Sequence, residues 1–226
     1  EVLINCRQIQ ILIKINSLYF FKFWSNFAKK KTMGKLDIIS GFLSKTGQTL
    51  ASIAKIIILS KFGKISKSGK GEEIIILGNG PSLNTTIAES AYFLASHKKL
   101  AVNFACNAPV FFELKPEYYV LADPHFFTSD AENVISLWSN LAKVDWQMTL
   151  FIPFKKNSSR LSELTSNRNI RIERYNLTPI EGFKGFCHKI FSSGLGMPRP
   201  RNVLIPSIML AIAAGFKKIQ IAGVII

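Results

Sequence analysis

The chain has 226 residues, 48% of them hydrophobic, and carries 29 Lys/Arg against 14 Asp/Glu for a formal charge of +15. That apolar content suffices for one α/β domain of ordinary size plus an extension, and it excludes disorder throughout. The charge is uneven: residues 1–70 hold 13 Lys/Arg against Glu1 and Asp37, a net of +11, while residues 71–226 net only +4. This argues against nucleic acid as a partner, because such an enzyme would carry its positive field over the active domain as well.

Residues 1–32 mix Phe20, Phe21, Phe23 and Trp24 with Lys14, Lys22 and Lys29, and no uncharged run reaches the ~18–20 residues of a spanning helix. A second apolar stretch over 38–62 is interrupted by Lys45, Lys55, Lys61, Gly41 and Gly47. Two accounts of 1–70 remain open: a basic amphipathic helical segment lying on an anionic membrane surface, or a helical pair packed on the domain with its lysines solvated. Residues 64–71, KISKSGKG, form a polar joint, which sets the expected boundary between the 1–70 segment and a folded domain of 71–226.

From there strands and helices alternate. The run 74–77 (IIIL), β-branched and ended by glycine, predicts a central strand of a parallel sheet. Ile87, Ala91, Leu94 and Ala95 repeat at helical spacing before a strand at 100–104. Strands follow at 118–122, 148–152 and 170–172, with a helical stripe of Val134, Leu137, Trp138 and Leu141 and a short helix around 161–164. Residues 176–200, rich in glycine and proline, predict a mobile loop over a site. Leu204, Ile208, Ala211 and Ile212 predict the last helix, and 219–223 the last strand. The expected fold is α/β and Rossmann-like, a mostly parallel sheet with helices on both faces, and ligands on such sheets sit beyond the carboxyl ends of strands.

Three strand ends carry polar residues that would converge there: Gly78, Asn79, Gly80, Pro81 and Ser82 after the first strand, Asn103 after the second, and Asp123-Pro124 after the third. Glycines admit a ligand close to the backbone, and a helix N-terminus aims free N–H groups at an anion. Asparagine both donates and accepts, which suits a nucleobase or ribose. A plain chain-reversing turn remains the alternative for the glycines, and a structural turn the alternative for Asn103 and Asp123. His125 is the candidate proton carrier. Arg199 and Arg201 are candidate phosphate clamps, since a planar guanidinium meets phosphate bidentately. His97, at a helix end, reads as a cap.

Cys6, Cys106 and Cys187 are odd in number and far apart, against both a disulfide framework and a zinc site, and the default location is cytoplasmic. Cys187 beside His188 is not a catalytic couple, because such couples are made in space rather than between sequence neighbours. There is no HExxH, no GxSxG, no Asp-x-Asp and no Walker motif, so no metal site is expected.

IIILGNGPSL at 74–83, VNF at 102–104, ADPHFF at 122–127 and AIAAGFKKIQIAG at 211–223 resemble the bacterial sialyltransferases that extend lipooligosaccharide. They are also similar to a related Rossmann-like group of 6-hydroxymethylpterin diphosphokinase-like or motility-accessory proteins. The first resemblance implies a CMP-sugar as co-substrate, held by Gly78, Asn79, Gly80, Pro81, Ser82 and Asn103, with Asp123 and Pro124 beside it, and no tightly bound cofactor. It implies an inverting, metal-independent glycosyltransferase acting on a glycan or glycolipid acceptor in cell-surface polysaccharide assembly, cytoplasmic or peripheral to the inner membrane. Asp123 stands where those relatives have asparagine, and Asn202-Val203 where they have Ser-Gly. Their acidic residue two positions after the final glycine is replaced by Ile225, and their catalytic histidine would lie past Ile226. The expectation is a C-terminally truncated member whose base is not assigned. The second resemblance implies a diphosphokinase with ATP and magnesium, and a non-catalytic nucleotide-binding, membrane-associated protein is the third reading.

Overall fold

The protein, represented by a computed structural model, is described at residues 15–16, 35–80, 82–156 and 159–223. Six strands form one parallel sheet: β2 (Glu73–Leu77), β3 (Lys98–Val102), β4 (Tyr118–Val120), β5 (Met148–Pro153), β6 (Ile170–Tyr175) and β7 (Lys218–Ala222). A two-residue strand β1 (Ile15–Asn16) adds antiparallel to β7 at one edge, and the order is β1-β7-β2-β3-β4-β5-β6. The architecture is α/β and Rossmann-like, as the alternating apolar runs predict. The chain steps outward from β2 to β6 and then crosses back to lay β7 on the other side of β2.

Side chains that alternate along each strand sort the core into two layers. Ile75, Leu77, Ala101, Tyr119, Leu150 and Ile152 face one side. Covering them are α2 (Ser82–Glu89), α3 (Ala91–Ala95), α4 (Val110–Leu114), α5 (His125–Thr128), α6 (Glu132–Ala142) and α7 (Ser159–Thr165). Ile74, Ile76, Leu100, Val102, Tyr118, Val120 and Ile219 face the other side, where α9 (Leu204–Ala214) packs. A right-handed crossover requires this division, since outward steps place helices on one face and the returning step places its helix on the opposite one. The predicted stripe Val134, Leu137, Trp138 and Leu141 is buried on α6 in full.

Two expectations are corrected. Residues 87–95 are not one helix, because Ser90 (φ −132, ψ 28) leaves helical geometry and starts α3 anew. Residues 64–71, the expected polar joint, are mostly exposed and are also tied to the domain. They cross the α9 face of the sheet, where Ser66 N–H donates to Glu173 Oε2 (3.1 Å), Tyr118 hydroxyl to Ser68 Oγ (3.0 Å) and Gly69 N–H to the Ala214 carbonyl (3.0 Å). Ile65 packs there against the core. Finally, Gly41 and Gly47 do not interrupt the apolar stretch before it: α1 (Lys35–Leu59) runs through both as one helix of 25 residues. Apart from the helix's own backbone, nothing lies within 4 Å of where a Cβ would stand at either glycine, so they cost helix propensity, about 1 kcal/mol each relative to alanine, without making room for a neighbour.

The predicted mobile loop over 176–200 is likewise replaced by ordered structure. Asn176 side-chain Nδ2 donates to the carbonyls of Lys61 (2.7 Å) and Gly194 (2.8 Å). Ile180 N–H and Met197 N–H donate to the Met197 and Thr178 carbonyls, both at 3.0 Å, across a parallel bridge between Pro179 and Met197. Thr178, Ile180 and Met197 are buried, and α8 (Lys184–Ser192) lies between the two arms. Glycine and proline here serve close packing rather than mobility: a Cβ on Gly196 would stand 2.8 Å from the Thr178 carbonyl oxygen.

Candidate functional site

The carboxyl ends of β2, β3 and β4 lie side by side, so the three predicted polar groups share one edge of the sheet. After β2, Gly78 N–H donates to the Ala222 carbonyl and Gly80 N–H to the Gly223 carbonyl, each at 2.8 Å, stitching the turn to the end of β7. Gly223 itself has φ 71, and a Cβ there would stand 2.8 Å from the Gly78 oxygen and 2.7 Å from Leu83 Cβ. The glycine turn therefore has a structural role, and two of its amides are committed to it. Asn79 N–H, between them, has no backbone partner among the described residues. Pro81 lies outside the described residues, and Ser82 opens α2.

Asn79 Nδ2 donates to the Val102 carbonyl (3.3 Å), reaching across to the last residue of β3. The next residue, Asn103, has φ 53 in the left-handed region, where asparagine is among the few non-glycine residues at ease. Its conformation is held from below. The Tyr119 hydroxyl, fully buried, donates to the Asn103 carbonyl, while Cys106 N–H donates to the same hydroxyl (3.2 Å). The half-buried side-chain amide of Asn103 makes no hydrogen bond among the described residues. Asn79 and Asn103 thus stand at the ends of adjacent strands, beside the first turn of α2, and among the described residues the amide of Asn103 and the side-chain oxygen of Asn79 have no partner.

Tyr119 is the positioning residue that the sequence reading passed over. The available signal was a tyrosine inside the apolar strand 118–122, because a buried phenol needs a hydrogen-bond partner. Burial drives the Tyr119 hydroxyl well above its ordinary pKa and pushes the Cys106 thiol up to about 11, so both stay protonated as neutral struts. Burial also raises the Cys187 thiol on α8, which fits the inert reading.

Asp123 and Pro124 start α5: Asp123 Oδ1 accepts from His125 N–H (2.8 Å), and Pro124, at φ −51, precedes the helix. His125 is the exposed first residue of that single turn. Arg199 does not form a free clamp; its Nε is 3.2 Å from Glu181 Oε1, in the segment after β6. Arg201 is exposed. His97 is a cap as expected, with Nδ1 2.8 Å from the Phe93 carbonyl of α3 and Nε2 3.4 Å from Glu73 Oε2. Among the described residues no group of three or more His, Cys, Asp or Glu is placed to hold a metal ion.

No protein-family model matches the chain, and a search of curated proteins finds no match either.

Proposed function

We propose that the carboxyl edge at β2 and β3 binds a nucleotide, and that the chain acts in nucleotide-sugar-dependent glycosyl transfer with a CMP-sugar donor. The observation that carries the reading is the pairing of Asn79 with a left-handed Asn103 whose amide is unengaged, next to the N-terminal turn of α2. A side chain carried on a backbone that a buried tyrosine holds in place can present its donor and acceptor to the edge of a base or to a ribose. The Asn79 N–H and the α2 N-terminus are the groups for phosphate, and they replace the glycine amides that β7 takes. The choice of cytidine rests on the resemblance of 74–83 and 102–104 to the sialyltransferases. Inverting transfer without a metal needs a base for the acceptor hydroxyl and a stabilised leaving phosphate. His125 is the candidate proton carrier at this edge, with Asp123 beside it.

Calorimetry with CMP, UMP, GMP and ATP tests the proposal. CMP is expected to bind, Asn103→Ala to weaken it by the ~1–3 kcal/mol of a lost buried hydrogen bond, and Gly80→Val to abolish it. Binding of ATP and not CMP would transfer the site to the diphosphokinase reading. Binding of CMP without turnover of a CMP-sugar supports the non-catalytic reading, and no binding of any nucleotide sinks all three.

A further inference from the structure

We propose that the outer edge of β6 pairs with the same edge of a second copy of the chain, antiparallel and about a two-fold axis at Ile172. This inference is independent of the nucleotide reading. The two edges of the sheet differ: β7 is covered by the antiparallel β1, whereas β6 ends the order with no strand beyond it among the described residues. Backbone groups along such a strand point alternately toward its neighbour and away from it. Met148 N–H donates to the Asn169 carbonyl and Phe154 N–H to the Tyr175 carbonyl, both at 2.9 Å, so Arg171 and Glu173 between them also face β5. Ile170, Ile172 and Arg174 therefore face outward. The N–H and carbonyl of Ile172, at the middle of the strand, have no hydrogen-bond partner among the described residues. The strand IRIERY contains neither proline nor lysine, two of the residues that commonly keep an open edge from pairing.

Charge complementarity commits this edge to a copy of itself and fixes the register. In an antiparallel pair an outward residue must meet an outward residue, so Ile172 can stand opposite Ile170, Arg174 or a second Ile172. The first arrangement sets Arg171 against Arg171 and the second sets Glu173 against Glu173, and like charges directly opposite are destabilising. Ile172 opposite itself sets Arg171 against Glu173 on both sides of the axis, so the order Arg-Ile-Glu is its own complement under a two-fold. The two Ile172 residues then exchange their backbone hydrogen bonds, and each Arg171 stands in a non-hydrogen-bonded pair with Glu173 of the other copy, where side chains come closest. Arg171 is placed to span the join. Its guanidinium lies 2.9 Å from Glu173 Oε1 of its own chain and donates to Ser66 Oγ, while its side chain is 63% exposed. On the other face the half-buried Ile172 would cover its counterpart. A strand of unrelated sequence would offer the hydrogen bonds without this match of charge.

Sedimentation velocity of the full chain over a concentration series tests this. A contact built on one strand is small, so the dimer is expected to fill at about 100 μM chain. Ile172→Pro deletes an N–H that faces outward, where an edge strand tolerates proline, and should leave the chain monomeric at that concentration with its melting temperature nearly retained. Arg171→Glu, at an exposed position, should weaken the dimer at least about tenfold by setting carboxylate against carboxylate, and Arg171→Lys should keep it within a few fold. Register is read by cross-linking: Ile172→Cys, its Cα about 5.5 Å from its counterpart, should give a disulfide-linked dimer under copper phenanthroline that the wild type and Arg171→Cys do not. A wild type monomeric at about 100 μM overturns the proposal. So does a dimer that survives both Ile172→Pro and Arg171→Glu, which would place the contact elsewhere on the chain, and so does cross-linking through position 171 in place of 172.

Discussion

Helices α1 and α9 are both rich in aliphatic residues, and they end in opposite environments. Seven of the eleven residues of α9 are buried, among them Ile208, Met209, Leu210 and Ala211, because it is the crossover that closes one face of the sheet. In α1 the aliphatics stay in solvent, and the contact with the domain is made by Ser52, Thr49 and, at 5.3 Å between ring centroids, Phe42 with Phe183. Apolar content alone therefore does not say which helix is core. What decides is whether a complementary apolar layer lies beneath it, and for α9 that layer is Ile74, Ile76 and Ile219 of the sheet.

The sharpest way to break this contrast is to truncate one leucine on each helix. Leu210→Ala on α9 should cost about 2–5 kcal/mol of unfolding free energy in urea melts, while Leu50→Ala on α1 should stay within about 0.5 kcal/mol. Comparable losses would mean that α1 is covered.

Titration of the same core comes next in size. In the ordinary range near pH 9 the thiol of an unfolded chain ionises, while burial holds Cys106 protonated to about 11. The folded-state value is raised, so the contribution is complete below about pH 9 and lost as pH rises to about 11, for about 3 kcal/mol. Tyr119 and Tyr175, also raised by burial, act in the same direction at higher pH. Urea midpoints taken across that range should fall, and Cys106→Ala should flatten the first part of the fall; a wild-type profile already flat would place the thiol in solvent.

The smallest effect concerns the attachment of α1. Ser52→Ala removes two hydrogen bonds to the Glu181 backbone and leaves that backbone pair without partners, which should weaken docking by about 1–3 kcal/mol. Hydrogen exchange should speed up over 42–58 and at Glu181 while β3, β4 and β5 keep their protection. Equal loss throughout would make α1 part of the cooperative core.

Much of the fold was legible in the residues. The runs 74–77, 118–122 and 148–152 are apolar on both faces, which only a doubly covered parallel strand tolerates, and the 3.6-residue stripe from Val134 to Leu141 has no other use than a helix. The polar residues at strand ends were legible for the same reason, because glycine, asparagine and aspartate-proline interrupt apolar runs where strands stop. Their order in the chain also puts the ends of β2, β3 and β4 next to one another once the sheet forms.

Tertiary structure decided what depends on partners distant in sequence. The amides of Gly78 and Gly80 go to β7, some 140 residues away, and no local pattern reveals that a turn's donors are already taken. Arg199 had the composition of a phosphate clamp until the fold set Glu181 3.2 Å from it. The glycines and prolines of 176–200 predict a mobile loop by local propensity, yet Asn176, Thr178 and Met197 are held by Lys61, Ser60 and the bridge to Pro179, so long-range hydrogen bonds override the propensity. In the same way the sequence determined that α1 is amphipathic and basic. Which of its sides meets the domain followed only from where Ser52 and Thr49 found the backbone of Glu181 and Phe183, since a buried hydroxyl must have a partner and an exposed leucine need not.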